Sequence, residues 1–338
     1  MNKSLLSVLI VNALAAGYAH AEVAPSDTSN TFDQLVNVVT NVNGHVGVAY
    51  EFKETEFTNY SDPTQTYTEK HKENSYIDGF YNFNDLNLFG NYKITQITNS
   101  IRKNNGEFLN EETVKYELST NYRYVLSESL NTGLGYSLEY EDGYAIESNS
   151  GRSDRKINTT EAQHEFSTWL GYWNNEGQWG FYSDASVGWK DADKNQWGDA
   201  DTDLYHVSFK PFMNLGKFFM AAELYYENQD TTNSWKENID FTERYIEPEL
   251  AYSFGEGKRV FVKHRFSEKE TNTSRSNGSS TKYFENINKT TLGYQQTIGE
   301  KWWVSAEVEL IREKHDMDDK KFADKDSDNF KLFAQYRF

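Results

Sequence analysis

The chain has 338 residues, a formal net charge of −18 and no cysteine, and only 37% of it is hydrophobic although aromatics reach 16%. Without cysteine there are no disulfides and no thiolate metal sites. The wealth of Tyr, Phe and Trp excludes a disordered chain, and no later run approaches the roughly 18 apolar residues of a transmembrane helix.

Residues 1–21, "MNKSLLSVLIVNALAAGYAHA", carry Lys3, an apolar run over 5–16 and a small-x-small site at Ala19-His20-Ala21. A charged start, a short apolar stretch and such a site predict a secretory signal peptide; the run is too short to anchor in a bilayer. Residues 22–43 follow, with Phe32, Leu35, Val36 and Val39 at i, i+3, i+4 and i+7, one helical face.

From residue 44 the pattern changes to period two. In "TVKYELSTNYRYVL" (113–126) Val114, Tyr116, Leu118, Tyr122 and Tyr124 fall on one face, and Lys115, Glu117, Ser119, Asn121 and Arg123 on the other. "QWGFYSDASVGWK" sets Trp179, Phe181, Ala185, Val187 and Trp189 against Gly180, Tyr182, Asp184, Ser186 and Lys190. "KWWVSAEVELIRE" and the closing "NFKLFAQYRF" repeat the theme. Alternation sustained over about ten residues predicts strands that are long for a soluble protein.

About fourteen such segments are predicted, at 44–56, 74–83, 86–96, 113–125, 132–142, 162–173, 178–190, 203–213, 217–228, 242–254, 258–268, 284–298, 301–312 and 329–338. Between them, tight turns such as "NLG" and "GEG" alternate with polar stretches at 57–73, 97–112, 142–161, 191–202, 229–241, 269–283 and 313–328, which are read as long loops. A soluble sandwich would not require this alternation of connections, and a solenoid would repeat its sequence. Trp179 and Trp189 share a face ten residues apart. That is a vertical rise of roughly 25 Å for a strand tilted by about 40°, the height of a barrel's apolar band. The fold class predicted is all-β, an antiparallel transmembrane β-barrel of about 14 strands with short periplasmic turns and long extracellular loops. The segments assigned are 1–21 signal peptide, 22–43 N-terminal segment and 44–338 barrel.

The signal peptide, the strand number, the alternating connections and the terminal "FAQYRF" together resemble a bacterial outer-membrane porin. The resemblance is nearest to the monomeric fourteen-stranded porin G type and to oligosaccharide porins, and it covers 44–338. It implies an outer-membrane location in a Gram-negative bacterium, a water-filled lumen, a monomer, and recognition of the last strand, ending at Phe338, by the barrel-assembly machinery. The histidine pair that gates porin G proteins has no counterpart: His164, His206 and His264 lie on non-adjacent strands, His45 at a strand start, and His71 and His315 in predicted loops. Residues 22–43 are read as a periplasmic arm, with a segment entering the pore as the alternative.

The face opposite the apolar one carries the chemistry. Pore-lining cations are predicted at Arg259, Lys263, Arg265, Lys289 and Lys331, and carboxylates at Glu117, Glu139, Glu165, Asp184, Glu223, Glu247, Glu249 and Glu307. Charge on an inward face predicts water inside and a lumen that tunes selectivity. Carboxylates concentrate on strands five to ten and cations near the closing strands, so either a transverse field or a set of local ion pairs is expected. Trp169, Tyr182, Tyr225, Phe261 and Phe333 are candidates for stacking on sugar rings. Acidic runs at 190–203 and 313–328 predict a solvated acidic mouth; they lack the glycine and terminal glutamate of a calcium-binding loop.

The function expected is passive diffusion of hydrophilic solutes, neutral oligosaccharides above all. No reaction, catalytic residue, metal or cofactor is predicted, and no nucleic acid; the partners are outer-membrane lipid and the solute. Two alternatives remain, a closed barrel acting as an adhesin and a barrel hydrolase. His164 and Ser167 are the nearest catalytic candidates, but their parities place them on opposite faces.

Overall fold

A computed structural model describes residues 44–338 apart from 64–65, 104–107, 149–154, 175–177, 195–198, 256 and 300. The predicted signal peptide, 1–21, and the 22–43 segment lie outside the described residues. The chain forms β1 (Gly44–Asn59), β2 (Tyr67–Phe83), β3 (Leu88–Arg102), β4 (Phe108–Ser127), β5 (Leu130–Ser148), β6 (Arg155–Trp173), β7 (Trp179–Lys194), β8 (Ala200–Leu215), β9 (Phe218–Asn233), β10 (Asn238–Ser253), β11 (Lys258–Ser274), β12 (Ser280–Ile298), β13 (Trp302–Met317) and β14 (Lys320–Arg337). Each strand pairs antiparallel with its sequence neighbours, and β14 pairs with β1, so the sheet closes on itself. His45 faces Arg337 at this seam, and Gly44 and Phe338 exchange backbone hydrogen bonds of 3.0 and 3.1 Å. A closed ladder satisfies every strand's backbone groups, which is what hydrocarbon requires of a spanning sheet.

The outer face explains the apolar half of each strand. On β7 it runs Trp179, Phe181, Ser183, Ala185, Val187, Trp189 and then changes to Asp191; on β13 it runs Trp302, Val304, Ala306, Val308, Leu310 and then Arg312. Trp179, Val187, Trp189, Trp302, Val308 and Leu310 are all exposed at the outer surface, as lipid-facing side chains are. Tyrosine and tryptophan at both ends of this belt match the girdles of membrane barrels.

The predicted long loops need correction. Strands continue through most of each polar stretch, leaving connections at 60–66, 103–107, 149–154, 195–199, 234–237, 275–279 and 318–319. Above the belt the outer face also turns polar, as at Asp191, Arg312 and Asp324, so the alternation of apolar and polar residues fades while the hydrogen-bonded ladder persists. The last connection is a two-residue turn, Asp318-Asp319, with φ of 49° and 62°. Positive φ at both positions is what a type I′ hairpin demands, and Asp tolerates it better than most residues. His71 and His315 therefore lie in strands, not loops. The acidic runs are corrected too: Asp191, Asp193, Asp201, Asp203, Asp324, Asp326 and Asp328 hang from the outer wall above the belt instead of arching over the mouth.

Inside, aromatic rings form the core. Phe80, Phe89, Trp169 and Tyr182 form one buried cluster, and Tyr76, Trp303 and Phe333 form another with Ala49. Several of these rings lie over a glycine of an adjacent strand: Trp169 over Gly133, Phe261 over Gly293, Phe333 over Gly47 and Phe212 over Gly180. The missing Cβ lets each ring lie flat along the wall, filling the gap in the side-chain layer.

Candidate functional site

The inner wall is the candidate site. Its residues alternate with the lipid-facing ones, and every predicted pore-lining charge sits on this inner parity. Glu117 on β4 lies 3.6 Å from Lys93 on β3 and 3.7 Å from Lys115. Glu139 on β5 lies 2.8 Å from Lys115. Glu223 is 3.8 Å from Lys210 and accepts a 2.7 Å hydrogen bond from the Tyr245 hydroxyl. Across β10 and β11, Arg259 meets Glu249 at 2.6 Å, Lys263 meets Glu249 at 4.0 Å and Arg265 meets Glu247 at 2.7 Å. Lys289 reaches Glu309 at 3.3 Å, and Glu307 stands opposite Lys331 in the β13–β14 ladder. Local pairing, rather than a transverse field, thus describes the cations of β11 and β12. The pairs fix side-chain geometry on a wall where carboxylates such as Glu247 and Glu249 are largely covered, so removing one partner leaves the other charge uncompensated.

A recess of about 400 Å³ opens on the inner wall of β3 to β10, bordered by Glu117, Glu139, Glu165, Asp184, Glu223 and Tyr225. At its centre His206 Nε2 lies 2.9 Å from Asp184 Oδ2, and Nδ1 lies 2.7 Å from Ser186 Oγ. Ser186 donates to Glu165 Oε2 at 2.8 Å, and Ser208 donates to Asp184. Since the Ser186 proton goes to Glu165, its oxygen accepts from the imidazole, and both ring nitrogens donate. The sequence reading placed Asp184 and Glu165 on this wall but missed that His206 ties them together. The register supplies the signal, because Ser186 pairs with His206 and Asp184 with Ser208.

The five sugar-stacking candidates divide. Trp169 and Tyr182 are at most 2% exposed, and Phe261 and Phe333 are also buried, each pressed against the wall with its face covered. Tyr225 differs in bordering the recess: it is half-buried between Tyr245, with ring centroids 4.7 Å apart, and His206, at 5.6 Å, and presents its edge to the open space. Arg265 caps the Tyr245 ring at 3.8 Å, and Tyr225 donates to Glu227. Tyr245 was absent from the sequence-based candidates.

His164 faces outward, stacked on Trp189 and 2.8 Å from the Tyr136 hydroxyl, while Ser167 faces inward. His264 also faces outward, 2.8 Å from Thr290 Oγ1.

Comparison with known proteins now has a fold and a wall to set against it. A family model described as "CymA: Putative cyclodextrin porin" matches residues 1–338. The chain belongs to the CymA family. Among solved structures, the toluene transporter TodX of Pseudomonas putida is similar at 7% identity, with 95% of this chain and 96% of that chain covered and a TM-score of 0.56. A FadL homologue of Pseudomonas aeruginosa gives 9% identity, 95% and 96% coverage and a TM-score of 0.51. The CymD monoaromatic hydrocarbon channel gives 7% identity, 95% and 98% coverage and a TM-score of 0.53. At such identities the likeness shows the fold. No curated protein matches the chain. This CymA-family protein is an outer-membrane β-barrel channel of the Gram-negative type. Neither the family match nor these structures bear on nearness to the porin G type.

Proposed function

We propose that this CymA-family channel passes hydrophilic solutes by diffusion, with neutral oligosaccharides, linear or cyclic, as its preferred cargo. The observation that carries the reading is the polar recess between Glu117 and Tyr225, a wall of carboxylates, hydroxyls and one half-buried aromatic pair. Carboxylates accept hydrogen bonds from sugar hydroxyls, and the accessible edge of the Tyr225 ring meets the apolar side of a sugar ring. An apolar aromatic solute, such as the toluene named for TodX, would strip water from this charged wall without replacing its hydrogen bonds. The cyclodextrin named for the matching family fits the same chemistry.

The hydrolase reading has less to stand on. Ser186 gives its proton to Glu165, so His206 is not placed as its base, and the strand N–H groups nearby are spent in the ladder. The adhesin reading would need a closed lumen. We further propose that the C-terminal strand ending at Phe338 is read by the barrel-assembly machinery, and that the barrel works as a monomer.

Single-channel recording of the refolded mature protein in planar bilayers tests the main reading. Expected are stable, mildly cation-selective steps, with cyclodextrins or maltooligosaccharides interrupting the current at millimolar concentration. A silent bilayer would favour the adhesin, and steps that no saccharide interrupts would remove the oligosaccharide assignment.

A further inference from the structure

Above the membrane belt, on the inner wall, Glu285 of β12 stands opposite His315 of β13, and Glu313 lies two residues before it on the same face. One ligand atom from each of Glu285, Glu313 and His315 can be chosen so that all three lie within 4.8 Å of one another. His315 is only 4% exposed, and its Nε2 is buried without a hydrogen-bond partner. That nitrogen points at Glu313 Oε2, 3.4 Å away. A tetrahedral ion with ligand bonds of about 2.0–2.1 Å separates neighbouring ligand atoms by roughly 3.3 Å.

The surroundings orient these groups further. Tyr283 Oη lies 2.6 Å from His315 Nδ1. In the neutral imidazole Nδ1–H donates to that oxygen and Nε2 offers its lone pair, the usual arrangement of a ligating histidine. Although burial lowers the His315 pKa, Glu285 and Glu313 bring it up to about 9, so a bound ion displaces a proton. Phe57 packs edge-on against the imidazole with centroids 6.2 Å apart. Lys325 lies 3.0 Å from Glu313 Oε1, so one carboxylate oxygen is held by the ammonium while the other faces the imidazole. Glu285 Oε1 is 3.7 Å from the ring's Nδ1, and its side chain is 24% exposed, the most accessible of the three.

We propose that Glu285, Glu313 and His315 bind a divalent transition-metal ion, zinc by preference, at the extracellular mouth of the channel. An imidazole beside two carboxylates suits zinc, whereas calcium and magnesium take oxygen ligands alone. Three protein ligands leave the fourth position to water or to a solute hydroxyl from the lumen. The bound ion adds two positive charges to a carboxylate-rich wall, which lowers cation selectivity.

The test is zinc binding to the full refolded chain in detergent by isothermal titration, paired with bilayer recording. One zinc per barrel is expected, with calcium giving no heat, and zinc added from the extracellular side is expected to reduce conductance and shift the reversal potential towards anions. His315→Ala should abolish both effects. Tyr283→Phe, which removes the oxygen facing Nδ1 and little else, should weaken binding about tenfold. His206→Ala, on another part of the wall, should leave zinc binding unchanged, and heat-modifiable gel mobility establishes that each variant is a folded barrel. Absence of saturable zinc binding to the unaltered chain, or binding that survives His315→Ala in a folded barrel, would overturn the proposal.

Discussion

At the scale of single residues, the inner wall shows why an inward aromatic is not automatically a sugar platform. Trp169 lies over Gly133, and Phe261 over Gly293, so the glycine opposite decides that each ring lies down on the wall. Such rings are structural, and Trp169→Ala is expected to destabilise the barrel by about 3–5 kcal/mol, read as a shift in the urea midpoint in lipid vesicles. The same variant should leave saccharide block of the current intact. Tyr225→Ala is expected to do the reverse, shortening saccharide dwell times with little loss of stability, because its ring borders the open recess. Equal effects of the two substitutions on dwell time would remove the distinction drawn between the rings.

At the scale of strands and turns, legibility followed the solvent. Wherever one face met lipid and the other water, as along Trp302–Leu310, alternation marked the strand, and all fourteen predicted segments are strands. Above the belt, residues such as Asp324, Asp326 and Asp328 alternate with Ala323, Lys325 and Ser327, and period two has no hydropathy contrast to carry it. The stretch 313–328 therefore has the sequence of a loop, although two aspartates at positive φ close it as a tight hairpin. Replacing Asp318-Asp319 by Asn-Gly keeps the turn geometry and is expected to hold or raise the unfolding midpoint, whereas Val-Val, which resists positive φ, should lower it. The ion pairs were hidden for a different reason: the sequence gives residue parity, but only register reveals that Glu249 serves both Arg259 and Lys263. Glu249→Gln is expected to shift the reversal potential towards anions in a salt gradient, and an unchanged potential would mean that this pair lies off the ion path.

At the scale of the whole molecule, the wall continues well past the lipid. On β13 the belt ends at Leu310, and the strand runs on to Met317. Seven further residues at about 3.3 Å each, tilted by about 40°, raise the rim roughly 18 Å above the hydrocarbon. The rim is hydrogen-bonded sheet through most of that height, and its connections are short. A protease needs an extended segment free of backbone partners, so the cell-facing part of this channel offers few places to cut. Digestion of intact cells is expected to nick the barrel, if at all, within the seven outer connections, leaving fragments that stay together until boiled. For a protein whose outer rim faces whatever enzymes share its surroundings, the closed ladder that satisfies the membrane also serves as armour above it.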